Sequence, residues 1–238
     1  MDFMKVHTVL NRHKGTFQQG LSAAWPICLG YIPIGLAFGV LAQKAGLHPV
    51  EIAMMSIFIF AGSSQFIAVS MISSGAASLP VILTTFMVNL RHLLMSSALS
   101  VFVTDADRKK ISIFAYGVTD ESFGVNYARF NKKNGWDINK ALIVNHAANL
   151  TWIICTIVGG YGGQFIPPGA FGIDYALIAM FICLLIFQIR GRIYLLTAVI
   201  AGLISVVLSL LIKGNSYIVI ASITGATVGL VIKNWARK

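Results

Sequence analysis

Two short polar clusters interrupt the long apolar stretches of this chain. Residues 89–92 read Asn-Leu-Arg-His, and residues 119–122 read Thr-Asp-Glu-Ser. The chain carries no acidic or basic residue from Ile52 to Leu90, so the first cluster follows an uncharged run long enough to lie in a membrane. A charged side chain in such a setting is costly and usually marks a functional site. The two clusters are therefore the first candidates for a polar passage through the protein.

The first cluster supplies a cation and a titratable ring. Arg91 lies 12 residues after Leu79, which is about 18 Å along a helix at about 1.5 Å per residue. This distance places it near the middle of a hydrocarbon core about 30 Å thick, where an arginine needs an anionic partner. His92 titrates near neutral pH and could relay a proton, and Asn89 adds an amide. Alternatively, the span ends near Leu90 and Arg91 extends to the membrane surface.

The second cluster supplies paired acids in an apolar setting. Asp120 and Glu121 follow Thr119 directly. Neighbouring carboxylates in a low dielectric repel each other, which makes them candidates for a protonation switch. A salt bridge from Arg91 to Asp120 or Glu121 would satisfy both clusters. Alternatively, the acids lie in an ordinary polar loop between two short interfacial helices.

A run of small and polar residues lies in the second apolar segment. It reads Ala61-Gly62-Ser63-Ser64-Gln65-Phe66. Close helix packing accounts for Gly62, Ser63 and Ser64, because small residues let backbones approach and hydroxyls can bond across the interface. It accounts less well for Gln65, because a mid-membrane amide needs hydrogen-bond partners. Gln65 is therefore predicted to line a polar cavity.

The first apolar segment contains Pro26 and Pro33. Proline removes a helix donor and clashes with the preceding turn. Two interpretations follow: a kinked, closely packed helix, or a discontinuous helix whose freed backbone groups face a substrate.

These residues must be positioned by membrane-spanning helices. The 238 residues are 57% hydrophobic and 11% charged, whereas soluble domains are about one-quarter charged. Helices satisfy their own backbone hydrogen bonds in lipid. We therefore predict an all-α, polytopic integral membrane bundle with seven or eight transmembrane segments, some of them discontinuous. The seven clear apolar segments are roughly 17–43, 51–74, 79–103, 141–160, 173–189, 193–212 and 215–232.

An eighth candidate segment, 111–128, is shorter and polar at its centre. Eight crossings with a cytoplasmic N-terminus place most lysines and arginines on the cytoplasmic side, in line with the positive-inside rule. They leave Arg108, Lys109 and Lys110 outside. If 111–128 is instead a re-entrant hairpin, this cluster can be cytoplasmic, and one earlier segment must then also turn back. Eight crossings are the preferred interpretation.

Composition and motifs also exclude several function classes. The net charge is +10, but the basic residues form short clusters between apolar runs, a pattern typical of topology signals and lipid head-group contacts. Nucleic acid is therefore not an expected partner. No metal-binding, P-loop, Rossmann or nucleophile-elbow motif is present in the sequence, so neither a cofactor nor an enzymatic activity is predicted. The expected organisation is one transmembrane transporter domain at 17–232, with cytoplasmic segments at 1–16 and 233–238.

Four motifs together resemble those of one family. They are Tyr31-Ile-Pro33-Ile-Gly35-Leu-Ala37-Phe38-Gly39, Ala61-Gly62-Ser63-Ser64-Gln65-Phe66, Asn89-Leu90-Arg91-His92 and Gly117-Val-Thr119-Asp120-Glu121. Their order and spacing are similar to those of the AzlC family, the large subunits of bacterial branched-chain amino acid exporters. The resemblance implies a secondary transporter that exports leucine, isoleucine, valine or related apolar amino acids across the cytoplasmic (inner) membrane. It also implies a small hydrophobic partner subunit of the AzlD type.

A zwitterionic substrate gives the candidate residues distinct roles. Backbone donors at a broken helix near Pro33 or Gly62 could hold the carboxylate. Asp120 or Glu121 could receive the ammonium group. Both roles require the two polar clusters and a helix break to face one passage.

The remaining roles are an apolar wall and an energy source. Phe38 and Phe66 could accept the branched side chain. Because the sequence has no ATP site, protons are the expected coupling ion, with His92, Asp120 and Glu121 as the titratable candidates. The alternative function is an uncoupled channel or facilitator for a small solute or ion, which would use the same polar breaks as a filter.

Overall fold

Helices make up all the regular structure in the described part of the chain. The structure is a computed structural model and describes residues 3–132, 135–167, 191–211 and 216–235, together with a few isolated positions between 175 and 189. The predicted all-α architecture is confirmed. The helices are α1 (Phe3–Lys44), α2 (Pro49–Phe58), α3 (Gly62–Ser73), α4 (Ser78–Ser100), α5 (Arg108–Tyr116), α6 (Asp120–Asn131), α7 (Ile138–Gly162), α8 (Arg192–Leu211) and α9 (Ser216–Trp235), with a short 3-10 turn at Gly163–Phe165.

Four of the described helices are long and apolar enough to cross a membrane. They cover Gly15–Lys44, Ser78–Ser100, Ile138–Phe165 and Ile193–Leu211. These ranges agree with the predicted segments 17–43, 79–103, 141–160 and 193–212, and α9 coincides with the predicted segment 215–232. The predicted segment 173–189 lies largely outside the described residues.

The chain divides into two compact units. The first comprises Met1–Gly62 and Asn89–Ala170, and the second comprises Ser63–Val88 and Phe171–Lys238. Both polar clusters belong to the first unit. In the second unit α8 and α9 pack closely, since a Cβ atom on Gly225 would lie 2.9 Å from the Cβ of Ala201.

Glycines bring α1 and α7 together at the centre of the first unit. A Cβ atom on Gly39 would overlap the carbonyl oxygen of Thr156, and one on Gly159 would overlap that of Leu36. Helix α2 packs on the same surface, where the hydroxyls of Ser56 and Thr156 lie 2.8 Å apart. Small residues allow this close approach between membrane helices. The three helices form the frame on which the polar clusters are arranged.

The break in the helices does not lie at the prolines. Helix α1 continues through Pro26 and Pro33, both of which are exposed. The interpretation of the first segment as a discontinuous helix is therefore wrong, because neighbouring turns carry a membrane helix past a missing donor. The interruption lies in the predicted segment 51–74, which forms two short helices, α2 and α3. Between them Phe60 has a φ of 36°, which is rare for a bulky residue.

Helices α5 and α6 form a hairpin. They have 9 and 12 residues, fewer than the about 20 that a spanning helix needs. The start of α5 meets the start of α7, where Lys110 Nζ donates to Asn139 Oδ1 at 3.3 Å. The end of α6 meets the turn that follows α4, where the rings of Phe102 and Phe130 stack 5.2 Å apart. Because only residues 132–137 separate α6 from α7, the hairpin enters and leaves at the same end of the first unit.

This hairpin bears on the number of membrane crossings. The contacts at both ends of the hairpin favour the re-entrant alternative over a crossing of 111–128 as an eighth span, and the number of crossings stays a prediction. The described basic residues of α5, α6, α7 and the loop after α6 then share one end of the first unit, whereas Lys44 lies at the far end of α1. These residues are Arg108, Lys109, Lys110, Arg129, Lys132 and Lys140. The positive-inside rule predicts that this end faces the cytoplasm.

Candidate functional site

The turn between α5 and α6 places the two acids at a helix N-terminus. Thr119 is the N-cap: its backbone N–H donates to Ser122 Oγ at 2.9 Å, and its Oγ1 accepts from the Ser122 N–H at 3.3 Å. This reciprocal pair is a capping box, which fixes the start of a helix. Asp120 and Glu121 therefore occupy the first turn of α6. The partial positive charge of a helix N-terminus stabilises carboxylates there.

The predicted salt bridge between the two clusters is confirmed. Arg91 Nη1 lies 2.6 Å from Asp120 Oδ2, and the two side chains are only 26% and 27% exposed. The contact joins α4 to the start of α6. Each charge neutralises the other, which is the condition for keeping an arginine at membrane depth.

Tyr31 on α1 holds the second acid. Its hydroxyl lies 2.7 Å from Glu121 Oε2, to which it donates, and 3.0 Å from Thr119 Oγ1. Tyr31 is buried, whereas Glu121 is exposed. The neighbouring acids thus have different partners, a cation for Asp120 and a phenol for Glu121, so only Glu121 presents an exposed carboxylate.

His92 contacts the turn between α5 and α6 through one ring nitrogen. Its Nδ1 lies 2.9 Å from the carbonyl oxygen of Val118. A carbonyl oxygen only accepts, so Nδ1 carries the proton and Nε2 of the neutral ring is an acceptor. Among the residues that the structure describes, the buried Nε2 atom has no hydrogen-bond partner. His92 therefore offers a base beside the Arg91–Asp120 pair.

A chain of buried amides supports the α5–α6 hairpin. Asn145 on α7 donates through Nδ2 to the carbonyl oxygen of Phe114 at 2.9 Å. It accepts through Oδ1 from Asn126 Nδ2 at 3.0 Å, and Asn126 accepts in turn from Trp136 Nε1 at 3.2 Å. Asn145 and Asn126 are fully buried. The chain satisfies a carbonyl near the end of α5, where the turn interrupts the helical hydrogen bonds.

An aromatic wall lies beside the acids. The ring of Trp152 on α7 contacts Tyr31 edge-on at 5.3 Å and stacks with Phe38 at 5.9 Å. A Cβ atom on Gly62 would lie 3.1 Å from the same indole. The predicted apolar wall residue Phe38 and the predicted break residue Gly62 thus meet at Trp152.

The ends of two short helices also converge at this level. The Tyr116 hydroxyl at the end of α5 donates to the carbonyl oxygen of Ile57 near the end of α2. The rings of Tyr116 and Phe60 lie 6.3 Å apart. The end of α2 and the end of α5 therefore meet within the first unit.

The remaining predicted site residues are placed elsewhere. Pro33 is exposed on α1, and Asn89 lies on α4 with an Oδ1 atom that is buried and has no hydrogen-bond partner within the described chain. Four residues lie on α3 in the second unit, and each is buried: Ser63, Ser64, Gln65 and Phe66. Gln65 is fully buried, and its place in the lining of a polar cavity stays a prediction.

Sequence reasoning missed the residues that support the clusters. It did not assign roles to Tyr31, Trp152, Asn126 or Asn145. The signal was present in part, since each carries a polar group within an apolar or amphipathic segment. Their roles depend on contacts between residues far apart in the sequence, such as the 90 positions between Tyr31 and Glu121.

The region that holds this site matches a known family. The family model described as AzlC protein matches residues 26–166, which span more than half of the chain from α1 to the end of α7. This chain belongs to the AzlC family. The match includes both polar clusters, Tyr31 and the aromatic wall.

Individual relatives agree with this assignment. The chain is 30% identical over 164 residues to the inner membrane protein YgaZ of Escherichia coli, covering 68% of this chain and 67% of that protein. It is 27% identical over 220 residues to the branched-chain amino acid transport protein AzlC of Bacillus subtilis, covering 90% and 85%. It is 29% identical over 216 residues to a membrane protein of Archaeoglobus fulgidus, covering 88% and 92%. No solved structure matches the chain.

The comparisons and the fold lead to one conclusion about function. The chain is a helical membrane protein of a transport family.

Proposed function

We propose that this AzlC-family protein is a secondary transporter that exports leucine, isoleucine, valine or related apolar amino acids across the cytoplasmic membrane of a bacterium. The observation that carries the proposal is the Arg91–Asp120 pair beside the exposed Glu121 carboxylate, on helices that match the family. Ionisable groups at membrane depth are expensive and characteristic of substrate and ion pathways. The name of the Bacillus subtilis relative supports the substrate class.

The side chains of the first unit match the parts of an amino acid. Glu121 is the group that receives the substrate ammonium, because Asp120 is already paired with Arg91 at 2.6 Å. The guanidinium of Arg91 is the candidate donor for the substrate carboxylate, because it has further N–H donors besides the one that contacts Asp120. Trp152 and Phe38 are the candidate apolar wall for the branched side chain; both are buried in this conformation, so the substrate would contact them only after the helices around them move. Such a surface separates related aliphatic substrates by only about 1–3 kcal/mol per methylene, so several of them would be carried.

Protons are the proposed coupling ion. His92 supports this, because its Nδ1 is committed to the Val118 carbonyl and its buried Nε2 is the acceptor. A proton on Nε2 would add a positive charge beside Arg91 and weaken the attraction of the site for a substrate ammonium. Proton entry and substrate release would then be linked.

The proposed assembly includes a small hydrophobic subunit of the AzlD type. Family membership is the support for this partner. The chain would act as the large subunit of the exporter, with the lipid bilayer as its surroundings.

One export experiment tests substrate and partner together. Cells that lack endogenous branched-chain exporters are loaded with radiolabelled leucine and express the chain with or without the companion subunit. We expect efflux only in cells that carry the chain, and faster efflux when the companion is present. Efflux that stays at the level of an empty vector in both strains would refute the proposed function.

Coupling requires a second measurement. In inverted vesicles, an imposed proton gradient should drive leucine uptake above the external concentration, and an uncoupler should abolish the gradient of leucine. Equilibration without accumulation would identify an uncoupled facilitator instead.

A further inference from the structure

A basic pocket lies at the cytoplasmic end of the first unit, away from the acids. It has a volume of about 290 Å³. Helix α1 contributes two amides and a hydroxyl, α6 and its C-cap contribute two cations, and the loop before α7 contributes an indole. The lining residues are Gln18, Gln19, Ser22, Arg129, Lys132 and Trp136.

The two cations of the pocket, Arg129 and Lys132, are not paired with a carboxylate of the described residues. Within the described part of the chain, neither Arg129 nor Lys132 lies in a salt bridge, and the six lining residues include no acid. A concave site with two positive charges and several neutral donors favours an anion with several oxygens. Phosphate fits this description, because arginine binds it through paired N–H donors and lysine as a point charge.

Arg129 is held in place before any ligand binds. Its guanidinium carbon lies 5.4 Å from the centroid of the Trp136 ring. The indole is itself fixed, because Trp136 Nε1 donates to Asn126 Oδ1 at 3.2 Å. Asn126 is fully buried and belongs to the amide chain that reaches Asn145. The pocket therefore has one wall anchored in the core.

The depth of the pocket corresponds to the head-group layer. Ser22 precedes Tyr31 by nine positions on α1, and Arg129 follows Asp120 by nine on α6, which is about 14 Å along either helix. Half of a hydrocarbon core about 30 Å thick is about 15 Å. With the Arg91–Asp120 pair near the middle of the membrane, both helices bring the pocket to the polar surface.

From these observations we infer that the pocket binds the phosphate head group of an anionic phospholipid in the cytoplasmic leaflet. Its volume lies just below the about 300–1,000 Å³ of pockets that enclose small molecules, which suits a head group whose acyl chains remain in the bilayer. Basic pockets on the cytoplasmic side of membrane proteins bind lipids of this kind. A bound head group would tie the start of α1 to the end of the α5–α6 hairpin.

The test compares two double variants with the same change in charge. Arg129→Gln with Lys132→Gln removes the cations of the pocket. Arg108→Gln with Lys109→Gln removes two exposed cations at the start of α5, at the same end of the first unit but outside the pocket. The full-length chain is purified in neutral detergent and titrated with phosphatidylglycerol or phosphatidylcholine, and bound lipid is counted by native mass spectrometry.

We expect wild type and the control variant to retain phosphatidylglycerol in preference to phosphatidylcholine. The pocket variant should bind phosphatidylglycerol about thirtyfold more weakly, since each basic residue near an anionic surface contributes about fivefold. Equal losses in both variants, or none in the pocket variant, would overturn the inference.

A further arm separates the lipid from free phosphate. Inorganic phosphate at the same concentration should not displace phosphatidylglycerol, because the acyl chains add affinity that the free anion lacks. Displacement at equal concentration would assign the pocket to a soluble phosphate and overturn the lipid assignment. Thermal unfolding of each variant without added lipid confirms that the fold is intact.

Discussion

At the scale of residues, two adjacent carboxylates have separate partners. Asp120 is joined to Arg91 at 2.6 Å, and Glu121 is bound by the Tyr31 hydroxyl at 2.7 Å. The first contact holds α4 against the hairpin. The second leaves an exposed carboxylate that is available to a substrate cation. Different consequences are therefore expected when each contact is removed.

Reversal of the ion pair tests the structural contact. Arg91→Asp or Asp120→Arg alone should destabilise the protein, because each places two like charges together in a half-buried site. Loss of one partner from a fully buried pair costs about 3–5 kcal/mol, and the partial exposure here should reduce this cost. The double variant Arg91→Asp with Asp120→Arg should recover much of the thermal stability measured in detergent. A double variant no more stable than the single variants would show that the pair does not join the two helices.

Tyr31→Phe tests the contact to the other acid. The ring and its packing on Trp152 stay, but the hydroxyl that binds Glu121 is lost. A hydrogen bond to a charged group contributes about 1.5–3 kcal/mol to stability, so the variant should unfold at a lower temperature, and leucine export should fall because Glu121 loses the hydroxyl that positions it. Tyr161→Phe, at an exposed tyrosine on α7, is the matched control and should export normally. Equal export by both variants would remove Tyr31 from the site.

At the scale of elements, the re-entrant hairpin depends on a close approach at its turn. Gly117 ends α5, and a Cβ atom there would lie 2.7 Å from the Cβ of Asn145. The side chain of Asn145 cannot retreat without losing its bonds to Phe114 and Asn126. A glycine at this position is therefore required by contact with α7.

Gly117→Ala should destabilise the protein by about 1–3 kcal/mol, the usual cost of overpacking. Gly124→Ala lies on α6 where no atom would be within 4 Å of the new Cβ. It should be neutral or stabilising by up to about 1 kcal/mol, because alanine favours a helix over glycine. Thermal unfolding in detergent measures both. If the two substitutions had the same effect, the turn would not be packed as described.

The sequence allowed the polar clusters to be predicted but not the path of the helices between them. Charge in an apolar run is visible without a structure, so Arg91 and Asp120 could be paired in advance. The direction of a short helix is not visible in the sequence, because a hairpin and a crossing have similar hydropathy, so the sequence left both interpretations of the segment 111–128 open. The prolines of α1 could not show whether the helix is broken or only kinked, because the effect of a proline depends on the turns around it. The break at Phe60 has no proline to mark it.

At the scale of the whole molecule, the hairpin predicts that Arg108, Lys109 and Lys110 face the cytoplasm, whereas eight crossings place them outside. Lys109 and Lys132 flank the hairpin, and contacts at both of its ends place them on one side. In a chain without native cysteines, Lys109→Cys and Lys132→Cys should both react with an impermeant maleimide only in inside-out vesicles. Lys44→Cys should react only in right-side-out vesicles. Labelling of positions 109 and 132 from opposite sides would restore the eighth crossing.

The central claim is that Glu121 and its neighbours form the passage for an amino acid. It is tested most directly by proton-driven accumulation of radiolabelled leucine in inside-out vesicles that contain the chain and its companion subunit. The comparison is between Glu121→Gln and Glu51→Gln. Glu51 accepts from the His48 backbone N–H at 2.7 Å at the start of α2, and glutamine preserves that capping contact.

We predict that wild type and Glu51→Gln accumulate leucine, and that Glu121→Gln accumulates at least about tenfold less, because it loses the charge that receives the ammonium. Accumulation by Glu121→Gln at the wild-type level would contradict this prediction.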